Sequence, residues 1–291
     1  MKSDLILDAS KLWASAISPS RQNYLNQLQA TSEGKPSLAT DTIAVFRQVS
    51  ENAAVVLPDG VDLFIPSHEP GRSIPCRMFR PKNGIPIKGV LMHIHGGGYV
   101  LNTEKTSDAT LRRYVDITEH AVISVGYRRA PEHVFPAALR DCCDVADYLV
   151  TDGEAQLGAQ LSIIAGDGLP SVHHVKNTHI VDGETRERYI SWYLPGYDTK
   201  DLQRSDVAPL YTNLEEFRGR LPPALFLCGT VEALLDDSMM MCIKWIQGGE
   251  GILKLVPGGF HRFMAMPEEE VEAAKEGWSH VAEFLNEIMF A

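Results

Sequence analysis

Between residue 85 and the C-terminus, short apolar runs alternate with longer segments of helical periodicity. That alternation restricts the possible folds more than any other feature of the chain. "KGVLMHIHGGGY", "AVISVGYRRAPE", "LSIIAGD", "PALFLCGT" and "GILKLVPGGFH" read as strands with short apolar runs, as strands covered on both faces have; a strand with one wet face alternates instead. Between them, "TSDATLRRYVDITEH", "FPAALRDCCDVADYLV" and "LDDSMMMCIKWIQ" place apolar residues three and four apart. Thr106 or Ser107 stands near the cap of the first, and Asp236 and Asp237 suit the start of the third, where the helix dipole favours acids. The pattern predicts an α/β fold, a mostly parallel twisted sheet with helices on both faces. Ligands of such sheets sit beyond the carboxyl ends of the strands, so the loops that matter follow His93-Ile94, Ile164-Ala165, Cys228 and Val256.

The flanking sequence is less regular. The first 45 or so residues are helix-compatible. "NAAVVLPDGVDLFIPS" and "IPCRMFRP" read as strands, with Pro-Asp-Gly turning between the halves of the first. "NTHIVDGETRERYI" reads as a hairpin with Asp182-Gly183 as its turn. "PEEEVEAAKEGWSHVAEFLNEIMF" reads as a closing helix whose acidic start, from Pro267, is solvated.

Charge and composition exclude several classes of partner. A net charge of −11 argues against nucleic acid, whose phosphates need clustered Lys and Arg. No run of about 18 apolar residues is present, so no membrane span is expected. The first residues lack the apolar core and cleavage site of a secretory signal, so the expected location is cytoplasmic. Five cysteines, Cys76, Cys142, Cys143, Cys228 and Cys242, without C-x-x-C spacing fit reduced, mostly buried thiols. His173, His174 and His179 have no helical ligand spacing and read as a polar loop, so no metal and no cofactor are expected. The oligomeric state is not legible.

The candidate site is spread over separate strand ends. His95-Gly96-Gly97-Gly98-Tyr99 directly follows a strand, and its glycines let backbone N–H groups face a ligand oxygen, as an oxyanion hole requires. A phosphate loop fits poorly, because the chain is acidic and no Lys follows. "HGGGY", "YRRAPEH" from Tyr127 to His133, "FPAAL" with Asp141, "AGD", "SWYLPGYD", "LPPALFLCGTVEALLDD" and "PGGFHRF" occur in one order. Together they resemble the hormone-sensitive-lipase-type carboxylesterases of the α/β-hydrolase superfamily, over roughly residues 85–290.

The resemblance implies an α/β-hydrolase fold, with residues 1–45 as a helical cap segment and 46–291 as the core domain. Gly97 and Gly98 would supply oxyanion-hole amides, joined by that of Leu169 after the nucleophile position. His261 would be the general base, and Glu232, where the family usually has Asp, would hold the tautomer of the imidazole.

The nucleophile itself is missing from this pattern. The family elbow is G-D-S-A-G, whereas this chain has Gly166-Asp167-Gly168-Leu169-Pro170, so Gly168 leaves the position vacant. Ser171 is the substitute hydroxyl, but a three-residue shift carries it out of hydrogen-bond reach of His261 unless the loop refolds. Asp167 flanks the serine in the family and reads as structural. Only 22 residues, Leu169 to Ile190, precede Ser191, against roughly 30 for a βαβ unit. The core is therefore expected to lack the family's elbow helix and strand six, with 169–190 as an atypical replacement. A remodelled natural protein and a truncated or misassembled gene product both fit.

The expected function is that of a carboxylic ester hydrolase by descent, for short-acyl esters of small molecules, impaired by the vacant elbow. Two other readings stay open. One is a non-catalytic binding protein for a small ester-like ligand, since the resemblance includes plant hormone receptors that have lost a triad member. The other is a non-hydrolytic catalyst with His261 as its base.

Overall fold

The computed structural model describes residues 8–32, 42–166 and 183–290. They fall into two compact units, one of residues 42–166 and 184–197, the other of 8–32, 183 and 198–290.

The first unit is built on a five-stranded sheet in the order β1-β2-β4-β3-β5. Its strands are β1 (Val61–Pro66), β2 (Ser73–Phe79), β3 (Val90–Ile94), β4 (Ala121–Val125) and β5 (Leu161–Gly166). β3 pairs parallel with β4 and β5, whereas β1 and β2 are antiparallel additions. The apolar runs behave as their composition requires, and every residue of β4 is buried. Parallel pairing needs crossovers. α3 (Asp108–Thr118) connects β3 to β4, while α4 (Ala137–Thr151) and the short α5 (Gly153–Leu157) connect β4 to β5. Phe79, Leu91, Leu111, Val115 and Val122 pack α3 onto one face of the sheet. Strand alternation sends the next residues in line, Met92 and Ile123, to the opposite face, where both are buried.

β5 is covered on one face only. Ile163 and Ala165 join the cluster under α3, yet Ile164 between them is 61% exposed. Among the described residues β5 pairs only with β3, and no strand lies between β5 and β6.

Two expectations for this unit need correction. "NAAVVL" is not a strand: residues 43–53 form α2 (Ile43–Ala53), and the chain then runs irregularly to the Pro58-Asp59 turn. Side chains have captured the backbone there. The Leu57 N–H donates to Asp108 Oδ2 at 2.9 Å, and the Leu57 carbonyl accepts from Arg77 Nη2 at 2.7 Å. The hairpin expected at Asp182-Gly183 is also absent, because α6 (Gly183–Tyr193) is a helix. Tyr189 and Tyr193, four apart, share one helical face, and Arg186, Glu187 and Arg188 are good helix formers. Together these preferences outweigh the two-residue turn signal. Asp182 lies outside the described residues.

The second unit holds the parallel pair β6 (Ala224–Val231) and β7 (Gly251–Phe260), connected by α7 (Leu235–Trp245). The strands approach so closely that a Cβ on Gly229 would lie 2.1 Å from the Gly259 carbonyl oxygen, so glycine is required there. α1 (Pro19–Ser32) and α8 (Glu272–Phe290) complete the unit. Leu25, Val256, Phe260, Phe263, Val271 and Ala274 form its core. Arg21 fastens α1 through Pro257 O at 2.7 Å and Glu276 at 2.6 Å. α8 begins at Glu272; the acidic residues from Pro267 onward form a turn in which Val271 N–H bonds back to Pro267 O.

No described helix is long and apolar enough to cross a membrane. Cys76, Cys142, Cys228 and Cys242 are buried and Cys143 is exposed.

Candidate active site

In the first unit the glycine loop leaves the end of β3 in a conformation that few other residues could adopt. Gly97 and Gly98 have φ of +118° and +61°, and Tyr99 and Asn102 have φ of +60° and +65°. A Cβ on Gly97 would lie 2.6 Å from Leu101 O, and one on Gly98 would lie 2.7 Å from the Tyr189 ring. The strained aromatic residue is held by its neighbours: Tyr99 stacks on Tyr193 of α6 with ring centroids 4.4 Å apart.

Two carbonyls determine where the loop amides point. Gly96 O accepts from Asn102 Nδ2 and contacts His95 Nδ1, both at 2.9 Å. Gly97 O accepts from the Val100 and Leu101 N–H groups at 3.0 and 2.9 Å. In a planar trans peptide the N–H points opposite to the C=O. Anchoring these carbonyls therefore directs the Gly97 and Gly98 N–H groups the other way, and neither donates to an acceptor among the described residues. Adjacent free N–H groups on an otherwise tied loop are what stabilises a developing oxyanion.

The surroundings clamp this loop. Tyr127 donates its hydroxyl to His95 O at 2.7 Å, and the two rings stack 4.1 Å apart. Arg47 of α2 reaches Val100 O at 2.9 Å and Ala130 O at 2.6 Å, and binds Glu132 through both terminal nitrogens. Hydrogen bonding to Arg47 pulls the Glu132 carboxyl down to about 2. The "YRRAPEH" and Asp141 motifs prove structural. Fully buried Asp141 accepts from the Arg128 backbone and guanidinium and from Arg72, which fixes the exit of β4. Arg47 and Asn102 escaped the sequence reading because no spacing connects a helix near residue 47 to a loop near residue 100; only the register of the folded chain does so.

In the second unit the strand register creates a side-chain pair. Val231 at the end of β6 lies opposite Phe260 at the end of β7, so the next residue of each strand, Glu232 and His261, meets the other. His261 Nδ1 is 3.0 and 3.1 Å from the two carboxylate oxygens of Glu232. A carboxylate only accepts, so Nδ1 carries the hydrogen, which in the neutral ring leaves the lone pair on Nε2. Glu232 is the more buried partner, its side chain 9% exposed against 27% for His261. It also accepts from the Leu234 N–H at 3.2 Å. Asp236 and Asp237 lie in the first turn of α7, as the helix dipole favours. The nearby Cys228 is no thiolate: burial, with the Glu232 charge adding to it, pushes its thiol up to about 12.

Gly168, Leu169, Ser171, Asp167, His173, His174 and His179 lie outside the described residues. Among the described residues, no three His, Cys, Asp or Glu side chains are grouped to hold a metal ion.

Known proteins are similar to this chain in sequence and in fold. A family profile for the α/β-hydrolase fold matches residues 91–169. Ethyl acetate hydrolase of Pseudomonas putida is 27% identical over 94% of this chain and 99% of its own length. An arylesterase of Saccharolobus solfataricus is 27% identical over 67% of this chain and 74% of its own. Among solved structures, the hyperthermophilic esterase of Pyrobaculum calidifontis superposes with a TM-score of 0.76 at 23% identity, covering 94% of this chain and 99% of that one. An ester hydrolase from the Lake Arreo metagenome, solved with a bipyridine phosphonate derivative, gives 0.77 at 22% identity, covering 94% and 100%. The fold is that of the α/β-hydrolases, with a mainly parallel central sheet flanked by helices.

Proposed function

The chain belongs to the hormone-sensitive-lipase-type carboxylesterases of the α/β-hydrolase superfamily, and from that premise we propose that it keeps the site for a small ester-like ligand while hydrolysing esters poorly. The observation that carries this reading is a mismatch. His261 and Glu232 are paired at 3.0 Å and the glycine amides are free of acceptors among the described residues, yet the elbow sequence is Gly-Asp-Gly-Leu-Pro.

In an intact esterase the imidazole takes the proton of serine as its oxygen attacks the ester carbonyl. The negative charge that forms on the carbonyl oxygen rests on loop amides, and water later hydrolyses the acyl-enzyme. On this reading one unit keeps His261 as the base with Glu232 holding its tautomer, the other keeps the Gly97 and Gly98 amides as oxyanion donors, and the family's third donor would be the Leu169 amide. Gly168 offers no oxygen to attack, so the acyl-enzyme does not form.

Labelling with a fluorophosphonate, the modified residue mapped by mass spectrometry, tests this reading. The expected result is no label, together with hydrolysis of an activated aryl ester close to background. A label on Ser171, or ordinary esterase turnover abolished by His261→Ala, would overturn it.

The retained amides and His–Glu pair also favour a binding role. A non-hydrolysable ester analogue should raise the thermal midpoint without product forming. No rise at saturating ligand counts against a binding site.

A further inference from the structure

We infer that Asn102 is a positioning residue for the anion-binding amide of Gly97, an assignment that rests on the reading of the glycine loop as an oxyanion hole. Asn102 is buried and has φ of +65°, a conformation that Asn tolerates better than most residues other than Gly. Its side chain makes two bonds whose chemistry fixes its orientation. The Gly96 carbonyl can only accept, so the amide must turn its NH₂ toward it, at 2.9 Å. The amide oxygen then faces Ser50 of α2, whose hydroxyl donates to it at 2.5 Å. Arg129 Nη1 fixes the Asn102 backbone by donating to its carbonyl at 2.8 Å.

The consequence falls on the neighbouring peptide. Gly96 C=O and Gly97 N–H belong to one planar unit. Asn102 anchors the oxygen end of that unit beside the contact from His95 Nδ1, each at 2.9 Å, so the hydrogen end stays directed away from Asn102. The Asn102 amide nitrogen also lies 3.1 Å from where a Cβ on Gly97 would sit, so it packs against the residue it orients. Gly98 is aimed by different bonds, those from Val100 and Leu101 to Gly97 O. Loss of Asn102 therefore weakens one of the two loop donors and leaves the other. Ser50 brings α2 into the same chain, so a helix about 50 residues upstream bears on the anion site.

The test compares a tetrahedral anion with a neutral carbonyl ligand on the full chain. The anion of phenyl methylphosphonate and the neutral ketone phenylacetone are titrated against wild type, Asn102→Gly and Ser50→Ala. Glycine at 102 keeps the positive φ and adds no charge. The expected result is at least a tenfold loss of phosphonate affinity in Asn102→Gly, with ketone affinity within about twofold of wild type. A smaller loss, about threefold, is expected in Ser50→Ala, accompanied by a shift of the Gly97 amide resonance in a ¹⁵N spectrum. Should Asn102→Gly fail to fold, Ser50→Ala carries the test. A merely structural role would weaken both ligands together, and that outcome overturns the assignment. Wild-type preference for phosphonate that survives in the folded variants overturns the role of Asn102 and leaves the oxyanion reading intact. Absence of any preference in wild type removes the oxyanion reading and this inference with it.

Discussion

At the scale of single residues, charge is held where the backbone needs it. Asp141 has no exposed surface and pairs with both Arg128 and Arg72, whose second carboxylate partner is Glu69. Asp141→Ala would leave two guanidinium groups with only the exposed Glu69 as carboxylate partner. The expected cost is about 3 kcal/mol, read from the urea midpoint; a change near zero would mean that the cluster relaxes into solvent. Glu132 carries the clearest pH signature. Its folded pKa of about 2 lies below the ordinary 4.5, chiefly because Arg47 bonds to it. A depressed carboxylate contributes stability that is fully present above the ordinary pKa and is lost as pH falls through the folded one. The stability difference between wild type and Arg47→Met should therefore narrow from pH 4.5 down to about 2. Glu132 is 55% exposed, so its share of that difference is screened to below about 1 kcal/mol. A difference that stays constant across that range removes the ion pair as its cause. His261 and Glu232 were singled out by the family resemblance of "PGGFHRF" and "GTVEALLDD", not by their own spacing. Asn102 and Arg47 were not, because their partners are backbone carbonyls that any sequence supplies.

At the scale of elements, β5 is unevenly covered among the described residues. A central strand of a parallel sheet is normally buried on both faces, and the run "LSIIAG" has the composition of one. Ile164 nevertheless lies open on one face, whereas Leu91 on neighbouring β3 is fully buried. Ile164→Thr should then change stability by less than about 0.5 kcal/mol while reducing self-association in light scattering. Leu91→Ala should cost about 2 to 5 kcal/mol in the same denaturation assay. A cost of that size at Ile164 would mean that something covers the face in solution. The elements misread from sequence share a cause. "AAVVL" has strand composition, but Arg77 and Asp108 occupy the Leu57 backbone groups that a strand would pair. Around residue 183 the turn signal spans two residues and the helical signal eleven, and the longer pattern prevails.

At the scale of the whole molecule, the alternation of apolar runs and helices was enough to read the fold class, because only parallel strands joined by crossovers bury such runs on both faces. β5 and residues 167–182 together come to 22 residues before α6, short of the roughly 30 of a βαβ unit. An active elbow needs more than its serine: a tight turn, a helix whose first amide joins the oxyanion hole, and a further strand to support both. Pro170 disfavours the helical conformation at Leu169, the residue whose amide that hole requires. Gly168→Ser alone should therefore stay unlabelled by fluorophosphonate and leave aryl ester hydrolysis near background. Replacing residues 167–182 by the complete elbow helix and following strand of ethyl acetate hydrolase should restore both, and His261→Ala in that chimaera should abolish hydrolysis again. Ordinary esterase turnover in Gly168→Ser would mean that one hydroxyl was all the scaffold had lost.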